Sequence, residues 1–292
     1  MTERTGSRWA AIGRALLSNR LAAAGILVLT ALVVTALVAP IVAPYGINEV
    51  DISARLAPPS SSHPFGTDEL GRDVFSRVLL ASRVSLQVGF VAVGLALMAG
   101  VPIGLVSGYR GGWVDTLLMR TMDVLFSFPA ILLAIAILAV LGPGIVNAMV
   151  AIGVVYTPIF ARITRAAVLS EKEQVYVTAA KAVGATDRRI LATHVLPNVA
   201  APIIVQTSLS LAFAILSEAA LSFLGLGVQP PDPAWGRMLA EARGFLAEAP
   251  WMGVFPGLAI VATVMAFNFL GDGLRDALDP RQRSVIESRM GR

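Results

Sequence analysis

No cysteine occurs among the 292 residues, which excludes disulfides, thiolate nucleophiles and cysteine-rich zinc sites together. Lysine is almost as scarce. The two present, Lys172 and Lys181, follow Glu171 and Ala180, whereas a nucleotide phosphate loop needs a Gly-Lys-Ser/Thr step. The chain therefore carries no such loop. Its two histidines, His63 and His194, are isolated and predicted on opposite sides of a membrane, so neither a paired-histidine metal site nor a Ser-His-Asp triad can be assembled. Structural roles are expected of both. Charge is also sparse: 14% of residues are charged, against about 25% in a soluble domain.

Apolar side chains fill the space, at 56% of residues and a mean hydropathy of +0.74. That balance excludes an ordinary water-soluble enzyme and points to a bundle in lipid. The net charge of +4 does not imply nucleic acid, because the basic residues are nearly all arginines scattered between apolar blocks. A span must satisfy its own backbone hydrogen bonds, which roughly 20 apolar residues in a helix achieve. Six stretches qualify: Leu21 to Ala43, Val84 to Val106, Leu117 to Leu141, Ile145 to Phe160, Ala200 to Leu226 and Trp251 to Leu270. The first is longer than the apolar core of a secretory signal and is read as retained.

Orientation follows from the basic residues, which stay on the cytoplasmic side. With the N-terminus inside, 17 of the 23 fall on the cytoplasmic side. Both termini are therefore expected in the cytoplasm. The organisation is a cytoplasmic segment 1–20, a first span 21–43, an external segment 44–83, a transmembrane core 84–271 and a cytoplasmic tail 272–292. Within the core, loop 161–199 lies inside and loop 227–250 outside. Trp235 and Trp251 are expected at the outer interface.

The inner loop is the most informative. Ser170 to Glu173 forms an S-x-x-E capping box, which predicts a helix starting there. Gly184 should end it, since glycine best takes the left-handed conformation after a helix. Thr186 can cap a second helix with Asp187 at its positive end, and Pro197 should close the segment. Val175, Val183 and Ile190 offer an apolar contact, and Thr178, Ala179, Ala180, Ala182 and Ala185 permit close approach of another surface.

The stretch TAAKAVGATDRRILATHVLP, Thr178 to Pro197, resembles the loop signature of the membrane subunits of bacterial ABC importers. The matching positions are Ala179, Ala180, Gly184, Ile190, Leu196 and Pro197; Thr178 stands where the family often has glutamate, so an ion pair made by that glutamate is not expected. Three further stretches, His63 to Leu86, Arg120 to Pro129 and Ser217 to Gly236, are similar to the dipeptide, oligopeptide and nickel permease branch, and to its second permease subunit.

The resemblance implies an all-α integral membrane protein with six transmembrane helices and the type I ABC importer permease fold, in a bacterial inner membrane. It implies a homologous second permease subunit, two cytoplasmic ABC ATPases and an external substrate-binding protein as partners, with the lipid bilayer around them. No nucleic acid is expected. The chain itself should bind no cofactor and no metal and catalyse nothing, ATP and magnesium being held by the ATPases. Its ATPase-coupling residues would be Thr178, Ala179, Ala180, Lys181, Gly184, Ala185, Ile190, Leu196 and Pro197. Peptides are the expected cargo; nickel, glutathione and opines are alternatives, and an ion-gradient-driven secondary transporter is the rival class.

Three groups admit two readings each. Glu218, inside the fifth span, is either a pathway or gate residue or a group hydrogen-bonded within the bundle. Asn268 and Asn147 divide the same way, towards pathway polarity or helix packing. Asp68, Arg72 and Asp73 either orient the external segment or contact the binding protein.

Overall fold

The computed structural model describes residues 13–278, which are helical apart from loops and one isolated bridge between Thr67 and Asp73. The helices are α1 Arg20–Val42, α2 Val74–Arg110, α3 Gly112–Phe126, α4 Ala130–Leu141, α5 Ile145–Glu171, α6 Val175–Ala182, α7 Asp187–Phe223, α8 Trp235–Ala242 and α9 Trp251–Leu278. Five of them, α1, α2, α5, α7 and α9, are long and apolar enough to cross a bilayer. The α3–α4 pair is apolar enough only when taken together and is bent by 92°, as in a broken span or a re-entrant loop. Residues 44–73 and the segment holding α8 form a cap at one end of the bundle, and α6 forms a hairpin with the start of α7 at the other.

The third predicted span, 117–141, is thus not one helix. Pro129 has no N–H to continue α3 and holds Phe128 away from helical backbone, so α4 starts afresh with Pro129 as its N-cap. The second and fourth spans are longer than predicted. Val74 to Arg83 of the expected external segment is already α2, and α5 runs on through Pro158 to Glu171. Thr157 donates its hydroxyl to the Gly153 carbonyl at 2.8 Å in the turn that Pro158 interrupts. Such local bonds make proline tolerable in a membrane helix.

The predicted capping box does not form. Ser170 lies inside α5, and α6 starts at Val175 after Gln174, which makes no side-chain cap. The box residues have other partners: Lys172 Nζ donates to the Gly108 carbonyl at 3.1 Å, and Glu171 accepts the Tyr176 hydroxyl. Pro197 does not close the segment either. A turn of π-helix, Leu191–Val195, precedes it and carries the chain into the rest of α7. That wide turn relieves the clash between a proline ring and the carbonyl before it. Residues 272–278 of the predicted tail are the end of α9, while 1–12 and 279–292 lie outside the described residues.

The core is organised by the contact of α2 with α5. Ala92, Ala96, Gly100, Gly104 and Gly108 recur every four residues along α2 and are all buried. A Cβ on Gly104 would lie 2.4 Å from the Ala161 carbonyl oxygen and 2.6 Å from Thr164 Cβ. Lipid gives helices no hydrophobic reason to associate, so close backbone packing of small residues holds them. Gly104→Ala should therefore cost about 1–3 kcal/mol and lower the melting temperature of the detergent-purified protein. Gly94→Ala, whose Cβ would meet nothing within 4 Å, should not lower it.

Candidate functional site

At the hairpin end, Gly184 follows α6 with φ +81°, its N–H donating to the Lys181 carbonyl at 2.9 Å while Ala185 N–H donates to the Ala180 carbonyl at 3.0 Å. These two bonds make the left-handed cap that glycine favours. Thr186 stands before the second leg as its N-cap, with extended backbone but no side-chain cap bond. Asp187 in the first turn instead accepts the Tyr109 hydroxyl at 2.9 Å.

The predicted coupling residues divide into two sets. Thr178, Ala179, Lys181 and Gly184 are exposed, Ala180 and Ala185 half-buried. Ile190 is fully buried rather than presented for contact, Leu196 is half-buried and Pro197 exposed. Val177, fully buried, anchors α6 from below. Val175 and Val183 are 84% and 85% exposed, so the hairpin shows an apolar, small-residue tip. Tyr176 braces the first leg: it donates to Glu171 and accepts from Asn198 Nδ2 at 3.0 Å. Burial and the Glu171 bond push its phenol above the ordinary range.

Glu218 is fully buried on α7, where Ser222 Oγ donates to Oε1 at 2.6 Å and Ser85 Oγ of α2 donates to Oε2 at 3.2 Å. Ser222 Oγ also accepts the Val228 N–H at 3.0 Å, so Glu218 joins α2, α7 and the loop after α7. Asn147 Nδ2 caps the end of α4, donating to the Leu141 and Gly142 carbonyls at 2.8 and 3.1 Å. Asn268 is half-buried on α9.

At the cap, Asp68, Arg72 and Asp73 are 3%, 9% and 2% exposed, leaving little surface for a partner to touch. Asp68 Oδ1 accepts the N–H groups of Leu70 and Arg72, each at 2.9 Å, and Oδ2 accepts Arg72 Nε at 2.6 Å. Arg72 also reaches Glu69 at 3.1 Å. Glu241 of α8 takes Arg77 at 3.0 Å and Arg237 at 3.0 Å. Asp68, Glu69 and Glu241 stand close enough to share a cation, but three arginines already neutralise them. Asp73 caps α2 by accepting the Ser76 N–H at 2.7 Å and pairs with His63 Nδ1 at 2.9 Å. Trp235, 1% exposed, does not face the outer interface as predicted; its Nε1 donates to the Val78 carbonyl, while Trp251 donates to that of Thr67.

Sequence reasoning missed the small-residue stripe of α2, which its four-residue spacing could have shown. It also missed the ion pair of Asp115 on α3 with Arg165 on α5, in which Nε and NH2 each donate at 2.6 Å. No local pattern signals that pair.

Residues 100–284, more than half of the chain, match the family described as binding-protein-dependent transport system inner membrane component. The chain belongs to this permease family. Its N-terminal part, residues 7–59, matches the N-terminal TM domain of oligopeptide transport permease C. Among relatives, the permease is 48% identical to the dipeptide transport system permease protein DppC of Alkalihalophilus pseudofirmus, over 95% of this chain and 91% of that one. It is 45% identical to the glutathione transport system permease protein GsiD of Pectobacterium atrosepticum, over 94% and 92% respectively. A solved chain of the MetNI methionine ABC transporter shares the fold, with a TM-score of 0.57, 20% identity and coverage of 70% of this chain and 98% of that one. The permease thus has the type I ABC importer fold, all-helical and multi-pass.

One cap residue makes a pH-dependent prediction. Burial raises the pKa of Glu69, with Asp68 and Glu241 adding to it against Arg72, and Oε2 has no hydrogen-bond partner among the described residues. A raised folded-state pKa means stability that is full below the unfolded value and lost as pH rises through the folded one. Glu69→Gln should therefore raise the melting temperature by about 2–4 °C at pH 7.5, and the gain should vanish towards pH 4.5. A gain that persists in acid would contradict this origin.

Proposed function

We propose that this permease forms half of the translocation pathway of a binding-protein-dependent importer, beside a homologous second permease subunit. Two cytoplasmic ABC ATPases bind and hydrolyse ATP with magnesium and dock on the hairpin; the chain itself holds no cofactor. The observation that carries this reading is the hairpin tip, where Val175 and Val183 stand in the open on a turn fixed by Gly184. The lack of a phosphate loop means that the energy source is separate. Basic-residue asymmetry supports a membrane orientation with both termini, and hence the hairpin, in the cytoplasm.

Di- and oligopeptides are the proposed cargo, because dipeptide permeases are among the relatives similar over nearly the whole chain. Glutathione, itself a tripeptide, is the second reading, favoured by the similar glutathione permease. An external binding protein would deliver the solute to the cap. Asp68, Arg72 and Asp73 serve that step by holding the cap in shape, which their burial supports. Glu218 serves as a hydrogen-bond node in the bundle, and Asn268 remains the candidate for pathway polarity.

Two substitutions test the reading. Gly184→Val places a β-branched residue at positive φ, straining the turn by about 1–2 kcal/mol, and should leave ATP hydrolysis running with uptake lost. Val183→Glu puts a charge on the apolar tip and should reduce recovery of the ATPases with the purified permease. Normal uptake by the first variant and normal ATPase recovery with the second would reject the hairpin as the docking element. Uptake by vesicles holding this chain without ATPases would favour the ion-gradient rival instead.

A further inference from the structure

Three consecutive residues at the hairpin end of α2 each grip a different element. Ser107 Oγ donates to Asp115 of α3, which in turn receives Arg165 of α5. The Gly108 carbonyl accepts Lys172 Nζ, from the corner where α5 gives way to α6. Tyr109 meets both legs of the hairpin: Lys181 Nζ of α6 stands 5.1 Å from its ring centroid, and its hydroxyl donates to Asp187 at the start of α7. A phenol is suited to this task. Its π face attracts a cation while its rim carries a donor at a fixed distance from that face.

From this junction α2 runs 37 residues to the cap. Small-residue packing on α5 makes the two helices one body, and at the far end Asp73 and Arg77 join α2 to the cap. A displacement imposed on the hairpin reaches the membrane along α7, which continues its second leg, and reaches α2 through the Lys172 bond and through the aromatic ring that touches both legs.

We propose that Tyr109 is the positioning residue that locks the hairpin to α2, so that hairpin, α2 and α5 move as one unit when the ATPases close. This rests on the reading of the hairpin as the ATPase-docking element. Asp187 needs only to accept a hydrogen bond, and Lys181 needs only its charge over the ring. The lock is assigned to contacts rather than to a continuous wire of residues, and its physical content is that hairpin and α2 keep one relative position in both states.

The absence of cysteine from this chain permits site-specific labelling, with the partner subunits used in cysteine-free form. Met98→Cys on α2, 69% exposed, and Arg188→Cys at the hairpin, also exposed, accept a spin-label pair. The experiment uses the assembly of both permease subunits and the ATPases in nanodiscs, nucleotide-free and trapped with ATP and vanadate. With Tyr109 present the label distance should be the same in both states. Tyr109→Ala should change it by about 2 Å or more on trapping and reduce solute moved per ATP about tenfold, with a labelled dipeptide as the transport probe. Tyr109→Phe and Asp187→Ala should each broaden the distance distribution, while Asp187→Asn, which keeps an acceptor, should match the parent.

A label distance that shifts on trapping in the parent, or stays fixed in Tyr109→Ala, overturns the proposal. So does a fall in melting temperature for Tyr109→Phe with an unaltered distance, which marks a merely structural role. If Tyr109→Ala does not assemble, the Asp187→Ala and Asp187→Asn pair decides by the same criterion. Should the ATPases assemble equally well with Val183→Glu, the docking reading fails and this proposal with it; should only the Tyr109 and Asp187 variants behave like the parent, this proposal fails alone.

Discussion

A carbonyl oxygen of α5 lies 2.4 Å from where a Cβ of Gly104 would stand, so α2 and α5 can run together only while that position has no side chain. Gly100 and Gly108 impose the same condition one turn to either side, at 2.6 and 2.9 Å from carbonyl oxygens. Within lipid this proximity replaces the hydrophobic effect as the cohesive term, since an apolar side chain is as well solvated by acyl chains as by its neighbours. The 37 residues of α2 span about 55 Å, well beyond a hydrocarbon core of about 30 Å. Its two ends therefore lie beyond the hydrocarbon core, and polar contacts collect there: those of Asp73 and Arg77 at the cap, and those of Ser107, Gly108 and Tyr109 at the hairpin. The glycine contact thus holds the axis to which both the cap and the hairpin are attached.

Buried charges are handled in two ways, by ion pairs at the cap and by hydroxyl donors inside the bundle. At the cap, Arg72, Arg77 and Arg237 answer Asp68, Glu69 and Glu241, which allows Arg77 to be 2% exposed without an isolated charge. Inside the bundle Glu218 has no cation among its hydrogen-bond partners, and two serine hydroxyls supply its bonds instead. An acidic residue in a span is a sound prompt to look for function. Here its geometry is that of a strut between α2 and α7, extended through Ser222 to the loop at the cap.

The sequence made most of the spans legible because hydropathy averages over many residues and needs no partner information. α1 lies within one residue of its predicted limits at either end. Local chemistry was legible where backbone conformation alone decides, as at Gly184, whose positive φ any helix end of that form requires. It misled where a distant partner competes. Ser170 to Glu173 has the pattern of a capping box, yet Glu171 and Lys172 gain more from Tyr176 and from the end of α2, so α5 simply continues. Pro129 and Pro197 show the same dependence: one breaks the chain between α3 and α4, the other is absorbed by a π turn. Neither outcome follows from proline itself. The pairs Asp115–Arg165 and Arg77–Glu241 join residues 50 and 164 positions apart, and a single chain carries no local trace of such pairings.

The hairpin combines two properties that seldom occur together in a short connector. Its base is fixed: Val177 and Ile190 are fully buried, Lys172, Lys181 and Asp187 are tied to α2, and Tyr176 is braced between Glu171 and Asn198. Its tip is bare and apolar, with Val175 at the start of α6 and Val183 just past its end both exposed. A loop serving only to connect α5 to α7 would gain nothing from a rigid base and would be better solvated with polar residues at its tip. A rigid base under an apolar tip instead fits the proposed docking of an ATPase surface at this end of α2.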